Sequence, residues 1–460
     1  MKPTTHIILL LLYSASKLNA ASTQESLAAE AIRQEIASLK QRLTELEKRL
    51  DAISQKKSTS SKLPSTHISE QAKKPAQKLP SRIVIQSDDQ QHQLQIRGLV
   101  QVDTRSYLNH SHLDTFLLRR ARIILDADIY KHWHLNLHTE FAGSSPSIID
   151  ANINAHLHDA FQIQAGRFKT PFGLEFLQPD PHRLFNETSL ASNLVPGRDI
   201  GIQVHGTLWN RLFEYQFGLF NGTADGANAP NQDTDSHREM AARFFFHPLK
   251  NLSTAFQNFG LGIALTHGEK EGASALPSFR TDGHQSFLQF QPWTSASGTH
   301  TRFSPQLYAY WKNFGLLSEF IYSEQELADV SHRRSRLESY AWHTAARWII
   351  TGEEADYLNI RPEREFKPWG SSSNRGWGAL ELALRVAQLD TRHPDFSSIL
   401  LPGSSTKATA WGVGLNWYLN DYLRIGINYL HTHFDRTYNP NGQEPRREEQ
   451  LFLTRFQFLY

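Results

Sequence analysis

The sequence predicts an all-β fold, a transmembrane antiparallel β-barrel, preceded by an N-terminal α-helical coiled-coil segment. Three observations predict it. Polar and apolar residues alternate with a period of two from about residue 92 onwards. The longest aliphatic run, Ile7–Leu12, is far shorter than the ~20 residues that a membrane-spanning helix needs. The chain ends on Tyr460, in a segment whose aromatic residues share one face.

The composition excludes several other classes of protein. The 460 residues include no Cys, which removes disulfide scaffolds and zinc–thiolate sites, and 27 Phe, 14 Tyr and 10 Trp argue against global disorder. The net charge of +2 divides unevenly along the chain. Segment 21–81 has 11 basic and 7 acidic residues, a net of +4, whereas segment 82–460 has 35 and 39, a net of −4. We therefore expect no nucleic-acid partner for the main domain.

Four segments follow from these patterns. Residues 1–20 have the positive start, apolar run and small residue at Ala20 of a signal peptide. Residues 21–54 form a predicted periplasmic coiled coil, residues 55–81 a Lys/Ser/Pro-rich flexible linker, and residues 82–460 the barrel. A single amphipathic helix is the alternative to the coiled coil. The heptad repeat places Ala29, Ile36, Leu43 and Leu50 at position a, and Ile32, Leu39, Leu46 and Ile53 at position d.

The strands of the main domain are predicted to have one apolar and one polar face. In Gln93–Arg105 and His132–Ala142 polar and apolar residues alternate at most positions. A soluble sandwich or propeller would also fit, but charged residues lie well inside the segments, where a packed core would leave them unpaired. About 17 segments are found, and we expect sixteen strands, with fourteen or eighteen as alternatives. Aromatic residues of an interfacial girdle are expected at Tyr107, Tyr130, Trp133, Trp209, Trp311, Tyr418 and Tyr422.

Five motifs resemble those of a known family, the phosphate-selective porin O/P family. Phe116–Arg122 (FLLRRAR) resembles its arginine-rich second strand. Ile149–Ile153, Gly166–Glu175 (GRFKTPFGLE), Pro196–Gly201 and Phe220–Gly222 follow in the same order and spacing, and GRFKTPFGLE is the most specific. The resemblance covers roughly 92–460. It implies a trimeric, sixteen-stranded outer-membrane barrel with loops folded into the pore, in which an arginine ladder leads phosphate or polyphosphate to a Lys/Arg-lined zone.

The candidate pore and anion-binding residues are Arg97, Arg119, Arg120, Arg122 and Lys169. Arg97 lies on the polar face of the first strand, and Arg120 and Arg122 share a face of the second. Arg119 has the opposite parity, so it lies near an interface or is turned inward by a bulge. The resemblance places Lys169 at the constriction. In the alternative interpretation these cations pair with acids on neighbouring positions: Asp103, Asp126, Asp128 and Glu140.

The predicted function is passive diffusion of small hydrophilic solutes, expected to be anions such as phosphate or polyphosphate. Segment 170–199 has no Lys and the barrel only 7, so a general, weakly selective porin is an alternative. A structural or adhesive barrel tethered by its coiled coil is another, with 221–238, 268–284, 351–375 and 434–449 as candidate external loops. His132, His134 and His138 share a face, but we expect no metal site, no cofactor and no enzymatic activity.

The expected partners follow from the same features. They are outer-membrane lipids, two further copies in a homotrimer, small anionic solutes, the barrel-assembly machinery through Tyr460, and peptidoglycan or another periplasmic contact through the N-terminal segment. The expected location is the Gram-negative outer membrane, with the N-terminal segment in the periplasm.

Overall fold

The computed structural model describes residues 40–42, 44, 83–109, 112–233, 235–252, 258–369, 375–438 and 446–460. The chain divides into two compact units, Met1–Lys78 and Leu79–Tyr460. In the first unit, Lys40–Arg42 and Thr44 are α-helical; the predicted signal peptide, linker and remaining coiled coil lie outside the described residues. No helix in the described part of the chain is long and apolar enough to cross a membrane.

The second unit is a closed antiparallel barrel of sixteen strands, which confirms the predicted fold class and strand number. Each strand pairs with the next along the chain, and Leu459 of the last strand pairs with Leu99 of the first to close the barrel. The barrel strands are β2 (His92–Tyr107), β3 (Thr115–Ile129), β4 (Trp133–Glu140), β5 (Ser147–His158), β6 (Phe161–Lys169), β7 (Arg198–Leu208), β8 (Phe213–Phe220), β9 (Glu239–Phe246), β10 (Asn258–Gly272), β13 (Ser295–Trp311), β14 (Phe314–Ala328), β15 (Arg334–Ile349), β16 (Ala379–Arg392), β17 (Lys407–Tyr418), β18 (Leu423–Tyr438) and β19 (Arg446–Leu459).

Three shorter strands lie outside the barrel ring. Strand β1 (Ile83–Gln86) pairs with the start of β2, where β19 has ended. Strands β11 (Phe279–Arg280) and β12 (Ser286–Leu288) form a hairpin within the connection that follows β10. The described residues of the second unit also include two short α-helices, α1 (Leu174–Leu177) and α2 (Phe396–Ile399).

Alternation along each strand separates the two faces of the barrel wall. On β2, Gln101 and Asp103 are fully buried toward the lumen, whereas Val100 and Val102 are exposed on the outer face. Successive side chains of a strand point to opposite faces, so the period of two in the sequence becomes an apolar outside and a polar inside. The same alternation puts Phe456 and Phe458 outside on the last strand.

The connections differ between the two ends of the barrel. At the end that carries the C-terminus, turns such as 130–132 and 312–313 are short, and Tyr130, Lys131 and Lys312 adopt the positive φ that tight turns require. The connection 350–378 is the long exception at this end. The described residues 350–369 and 375–378 therefore belong to the opposite end of the barrel from the long connections 221–238 and 273–294, and the prediction that 351–375 and 221–238 are both external loops was wrong.

Part of the expected aromatic girdle forms at the same end. Trp311 stacks on Phe314, whose ring lies 6.0 Å from that of Trp348, and Trp209 lies 5.6 Å from Phe213. These rings suit the membrane–water interface, since they are apolar bodies with few polar atoms. For two residues the girdle prediction was wrong, because strand parity turns them into the lumen, where they are buried: Tyr107 and Tyr418.

Candidate functional site

The connection between β6 and β7, residues 170–197, folds back into the barrel; we call it the constriction loop. It contains α1 and two 3₁₀ turns, Asp180–His182 and Leu190–Leu194. Gly173 makes the first bend possible, because its φ is 77° and a Cβ there would lie 2.7 Å from the Val195 side chain. The bend allows the chain to turn inward directly after the strand ends.

Lys169, the last residue of β6, holds this loop in place. Its Nζ donates to the carbonyl oxygens of Phe176 at 2.6 Å and Gln178 at 2.8 Å, and lies 5.1 Å from the Phe176 ring centre. These carbonyls belong to the end of α1, where backbone acceptors lack helical partners. Lys169 therefore holds the end of α1, and with it the constriction loop, close to the end of β6.

Glu175 anchors the loop to the far wall of the barrel. Its carboxylate accepts hydrogen bonds from Ser189 N at 2.9 Å, Ser189 Oγ at 2.7 Å and the Arg385 guanidinium at 3.2 Å. Burial opposes its ionisation, but His343, Arg385 and Ser189 outweigh burial and hold the pKa of Glu175 at about 2. Glu319 on β14 adds a second anchor by accepting from two backbone N–H groups at the start of α1, at 2.6 and 3.1 Å.

The loop also packs on an apolar part of the lumen. On that wall, β14–β18 turn small or aliphatic residues inward, and these contact the loop. Such a patch buries apolar surface on both sides and favours docking of the loop. The loop contributes Phe172, Leu190, Ala191, Leu194 and Val195; the wall contributes Ile321, Leu327, Leu337, Ala341, Ala387, Leu389, Ala408, Ala410 and Phe434.

The opposite wall remains open. The side chains of His134 and His138 on β4 are 42% and 19% exposed, whereas those of His343 on β15 and Arg385 on β16 are 0% and 3% exposed. All four face the interior of the same barrel. The constriction loop therefore covers these lumen positions of β15 and β16 and leaves those of β4 exposed.

A cluster of arginines surrounds Asp180 at the loop's edge. Asp180 forms ion pairs with Arg183 at 2.7 Å, Arg120 at 3.3 Å, and Arg122. Arg122 also donates to Glu140 at 2.7 Å. Burial opposes ionisation of Asp180, but the arginines outweigh it and hold the pKa of this carboxyl well below its usual range. Asp180 thus forms ion pairs with three arginines.

Glu187 is the second carboxylate that the loop presents to arginines of the wall. Its carboxylate accepts hydrogen bonds from the Arg119 guanidinium at 2.6 and 3.0 Å. Its oxygens also lie 2.8 Å from a nitrogen of Arg455, 3.3 Å from one of Arg105 and 3.0 Å from His284 Nε2. Burial opposes its ionisation, but Arg119, His284 and Arg455 hold the pKa of Glu187 well below its usual range. The loop is therefore fastened to β2, β3 and β19 through one side chain.

A bulge in β3 brings Arg119 to this position. The β2–β3 register shifts between Gln101, which pairs with Arg120, and Val102, which pairs with Leu118. The extra residue, Arg119, is left without a cross-strand partner, and a bulge re-aims such a side chain. Of the two alternatives for its parity, the structure has the inward-turning bulge.

These groups enclose a cavity of about 260 Å³, the loop cavity, between β3 and the constriction loop. Six arginines and three carboxylates line it, which leaves an excess of three positive charges. The arginines are Arg119, Arg120, Arg122, Arg183, Arg198 and Arg280; the carboxylates are Asp180, Glu187 and Asp282.

The five predicted site residues do not all meet here. Arg119, Arg120 and Arg122 line the loop cavity. Arg97 does not, because it is bound to Asp126 of the neighbouring strand, with its Nε at 2.8 Å. Lys169 does not line it either and binds loop carbonyls instead. The pairings with Asp126 and Glu140 match the alternative interpretation, whereas those with Asp180 and Glu187 come from the loop.

Three cavity arginines were not among the predicted residues. Arg198 lies in the motif Pro196–Gly201 at the start of β7 and donates to Asp150 at 2.9 Å, so the motif was the available signal. Arg183 lies in the constriction loop itself. Arg280 comes from the connection 273–294, and no local pattern in the sequence indicates that this segment enters the lumen.

Within the described residues, one group of side chains has the composition of a metal site. Oxygen or nitrogen atoms of Glu175, Glu319 and His343 lie within 4.8 Å of one another. Both carboxylates are already occupied by backbone, Ser189 or Arg385 donors, and His343 Nε2 lies 3.0 Å from Glu319. The group acts as a buried ion-pair network that holds the loop.

The closed barrel, its apolar outer face and its charged lumen narrowed by an inserted loop define a porin, a channel of the outer membrane. The model of the family "Phosphate-selective porin O and P" matches residues 93–460, and the chain belongs to this family. The resemblance found in the sequence is thereby confirmed. Membership of this family implies a channel.

A curated relative and two solved structures are also similar to this chain. Porin O of Pseudomonas aeruginosa is 22% identical over 425 residues, which cover 82% of this chain and 90% of that protein. The outer membrane channel DcaP of Acinetobacter baumannii matches with a TM-score of 0.52 at 10% identity, over 82% of this chain and 99% of that one. OmpT of Vibrio cholerae matches with a TM-score of 0.50 at 12% identity, over 82% and 100%. The two structures show the fold.

Proposed function

We propose that this porin prefers small anions, phosphate among them, and that they pause in the loop cavity. The observation that carries the proposal is the excess of three positive charges around the cavity, from six arginines and three carboxylates. A pore whose wall has a low dielectric constant focuses the field of such charges, and this raises the local concentration of anions.

The arginine side chains also suit the solute. A guanidinium offers donors in a planar fork, which matches phosphate and carboxylate oxygens. Among the described residues, Arg280 has no carboxylate partner; its Nε donates to Ser278 Oγ at 3.2 Å. Arg280 is therefore the cavity arginine whose charge is least neutralised.

The preference is expected to be moderate. The constriction loop has no Lys, and segment 82–460 has a net charge of −4. Conduction requires binding that is favourable enough for entry and weak enough for release. Sharing Asp180 and Glu187 among several arginines lowers the charge that an anion meets, which favours release.

Planar-bilayer recordings of the purified protein test this proposal. In a KCl gradient we expect a reversal potential that indicates anion preference, and we expect added phosphate to reduce the chloride current. Arg280→Gln should weaken both effects. Arg333→Gln is the matched control, because Arg333 is 75% exposed and does not line the cavity. Cation preference in the unchanged protein would overturn the proposal.

Assembly and location are proposals that family membership supports. We propose a homotrimer among outer-membrane lipids, with residues 21–54 in the periplasm as a coiled coil that contacts peptidoglycan or another periplasmic partner. The backbone N and O of Tyr460 both form hydrogen bonds with Gly98 at 2.8 Å, and its ring stacks on Phe458. The proposed signal for the barrel-assembly machinery is the strand that these residues belong to. Deletion of Tyr460 should lower the amount of heat-resistant oligomer.

The role of the N-terminal segment is tested separately. If deletion of residues 21–81 leaves conductance unchanged and detaches the outer membrane, the segment tethers the envelope. If the deletion dissociates the oligomer, the coiled coil trimerises the protein. An intact envelope and an intact oligomer would contradict both roles.

A further inference from the structure

A second cavity, of about 440 Å³, lies inside the barrel near the end that carries the C-terminus. We call it the aromatic cavity. It shares no lining residue with the loop cavity. Its walls come from β8, β9, the residues that follow β9, the start of β10, β13, the connection 350–378 and Leu177 of the constriction loop. Its volume falls within the range of sites that bind small molecules.

Three aromatic rings form one wall of this cavity. The ring of Tyr308 lies 5.3 Å from that of Phe245 at an angle of 24°, and 5.2 Å from that of Tyr357 at 18°. Both phenol groups are already engaged: that of Tyr308 lies 3.0 Å from His247 Nδ1, and that of Tyr357 donates to the Leu174 carbonyl at 2.6 Å. The rings are therefore held in place by stacking on one another. Phe245 is buried within the stack, and the half-buried rings of Tyr308 and Tyr357 form the aromatic surface of the cavity.

Arg243 brings a cation to the same wall. Its guanidinium carbon lies 4.5 Å from the centre of the Phe245 ring, and its Nε donates to Gln306 at 3.0 Å. Within the described part of the chain its two terminal nitrogens make no hydrogen bond, and no carboxylate lies within ion-pair distance. The residue is only 8% exposed. A buried charge without an ion-pair partner is costly, so this position favours an anion.

The remaining charged groups of the cavity are already paired or lie at its rim. Glu214 lies 3.0 Å from His247 Nε2, and Asp356 accepts from the backbone N–H of Leu358 at 3.2 Å. Lys250 is exposed, and its Nζ lies 3.5 Å from a backbone carbonyl. The carboxylates of Glu214 and Asp356 therefore already have hydrogen-bond partners of their own.

Gln216 adds a second unsatisfied group. It pairs across the sheet with Arg243, and its buried Oε1 has no hydrogen-bond partner among the described residues. An amide can turn either its donor or its acceptor end toward a ligand. With its Nε2 turned toward the cavity, Gln216 would add a donor next to the Arg243 guanidinium, beside the three rings.

We propose that the aromatic cavity is a transient binding site for small aromatic carboxylates on their way through the channel. The Arg243 fork would hold the carboxylate, and the half-buried rings of Tyr308 and Tyr357 would contact the planar body of the solute. Inorganic phosphate suits the cavity less well, because the aromatic wall offers its other oxygens no donors. The proposal requires an open channel and does not depend on anion preference at the loop cavity.

Single-channel recordings with benzoate as the added solute test the site. We expect benzoate to produce brief current blocks. Cyclohexanecarboxylate, which has the same charge without a π face, should produce shorter ones, and acetate should produce none. Arg243→Gln should shorten the benzoate block about tenfold or more, since a charge-assisted contact is lost. Arg243→Lys should lie between, because it keeps the charge and loses the fork.

Arg211→Gln is the matched control, an exposed arginine in a turn at the same end of the barrel that does not line the cavity. Should Arg243→Gln not assemble, Tyr308→Leu gives a second test, in which the difference between benzoate and cyclohexanecarboxylate should disappear. Equal blocking by these two solutes in the unchanged protein, or full benzoate blocking in Arg243→Gln, would overturn the proposal. A channel without anion preference could still show the benzoate effect, so the two proposals fail separately.

Discussion

Replacing Glu175 by Gln tests whether buried charge holds the constriction loop against the barrel wall. The carboxylate is 5% exposed and accepts from Ser189 N at 2.9 Å, Ser189 Oγ at 2.7 Å and Arg385 at 3.2 Å. Holding its pKa at about 2 instead of the ordinary 4.5 corresponds to about 3 kcal/mol. Loss of one partner from a buried ion pair costs a similar amount, about 3–5 kcal/mol. Glu175 does not line the loop cavity, so its replacement should act on loop docking alone.

Hydrogen exchange measured by mass spectrometry gives the readout. A loss of about 3 kcal/mol should lower protection of the backbone N–H groups of residues 170–197 roughly a hundredfold, while the strands of the barrel keep theirs. Open-channel current noise should rise in parallel. Glu271→Gln is the matched control, because Glu271 is 73% exposed. Unchanged protection of the loop in Glu175→Gln would refute the argument that this carboxylate anchors it.

Three further predictions concern the same loop. The pKa of Glu175 is about 2 in the folded protein and 4.5 ordinarily, so the stabilisation that Glu175 gives to loop docking is present above about pH 4.5 and is lost as the pH falls toward 2. Current noise should therefore stay level from pH 7 to 5 and rise below pH 5. A rise already at pH 6 would show that the noise has another origin. Lys169→Met removes donors to two carbonyls at 2.6 and 2.8 Å, so noise should increase while the reversal potential stays the same; a shifted reversal potential would instead place Lys169 in the anion route. Gly173→Ala places a Cβ 2.7 Å from Val195 at a φ of 77°, which should cost at least about 1 kcal/mol of loop docking measured by hydrogen exchange; wild-type protection would contradict the role of this bend.

The candidate site was only partly predictable from local sequence. Arg120 and Arg122 follow from parity, because an arginine on the polar face of a barrel strand must point into the lumen. Arg119 has the wrong parity, and the bulge that turns it inward exists because Gln101 pairs with Arg120 and Val102 with Leu118. Parity within one strand cannot show such a shift in pairing between two strands. Lys169 was recognised as part of the constriction, but its partners, two backbone carbonyls, depend on how the loop folds.

The sequence by itself determined the barrel. A period of two over segments long enough to cross a bilayer, with charges on one face, has one stable arrangement in lipid, since every backbone group must be hydrogen-bonded and a sheet must close. Only the tertiary structure decided which half of the lumen is open. The inward residues of β14–β18 include Ala341, Ala387 and Leu389, and they become a docking surface only when residues 170–197 cover them. Glu175 and Arg385 are distant in the chain, and their ion pair cannot be read from the alternation pattern of either segment. Such a contact depends on how the loop and the barrel wall fit together in the folded protein.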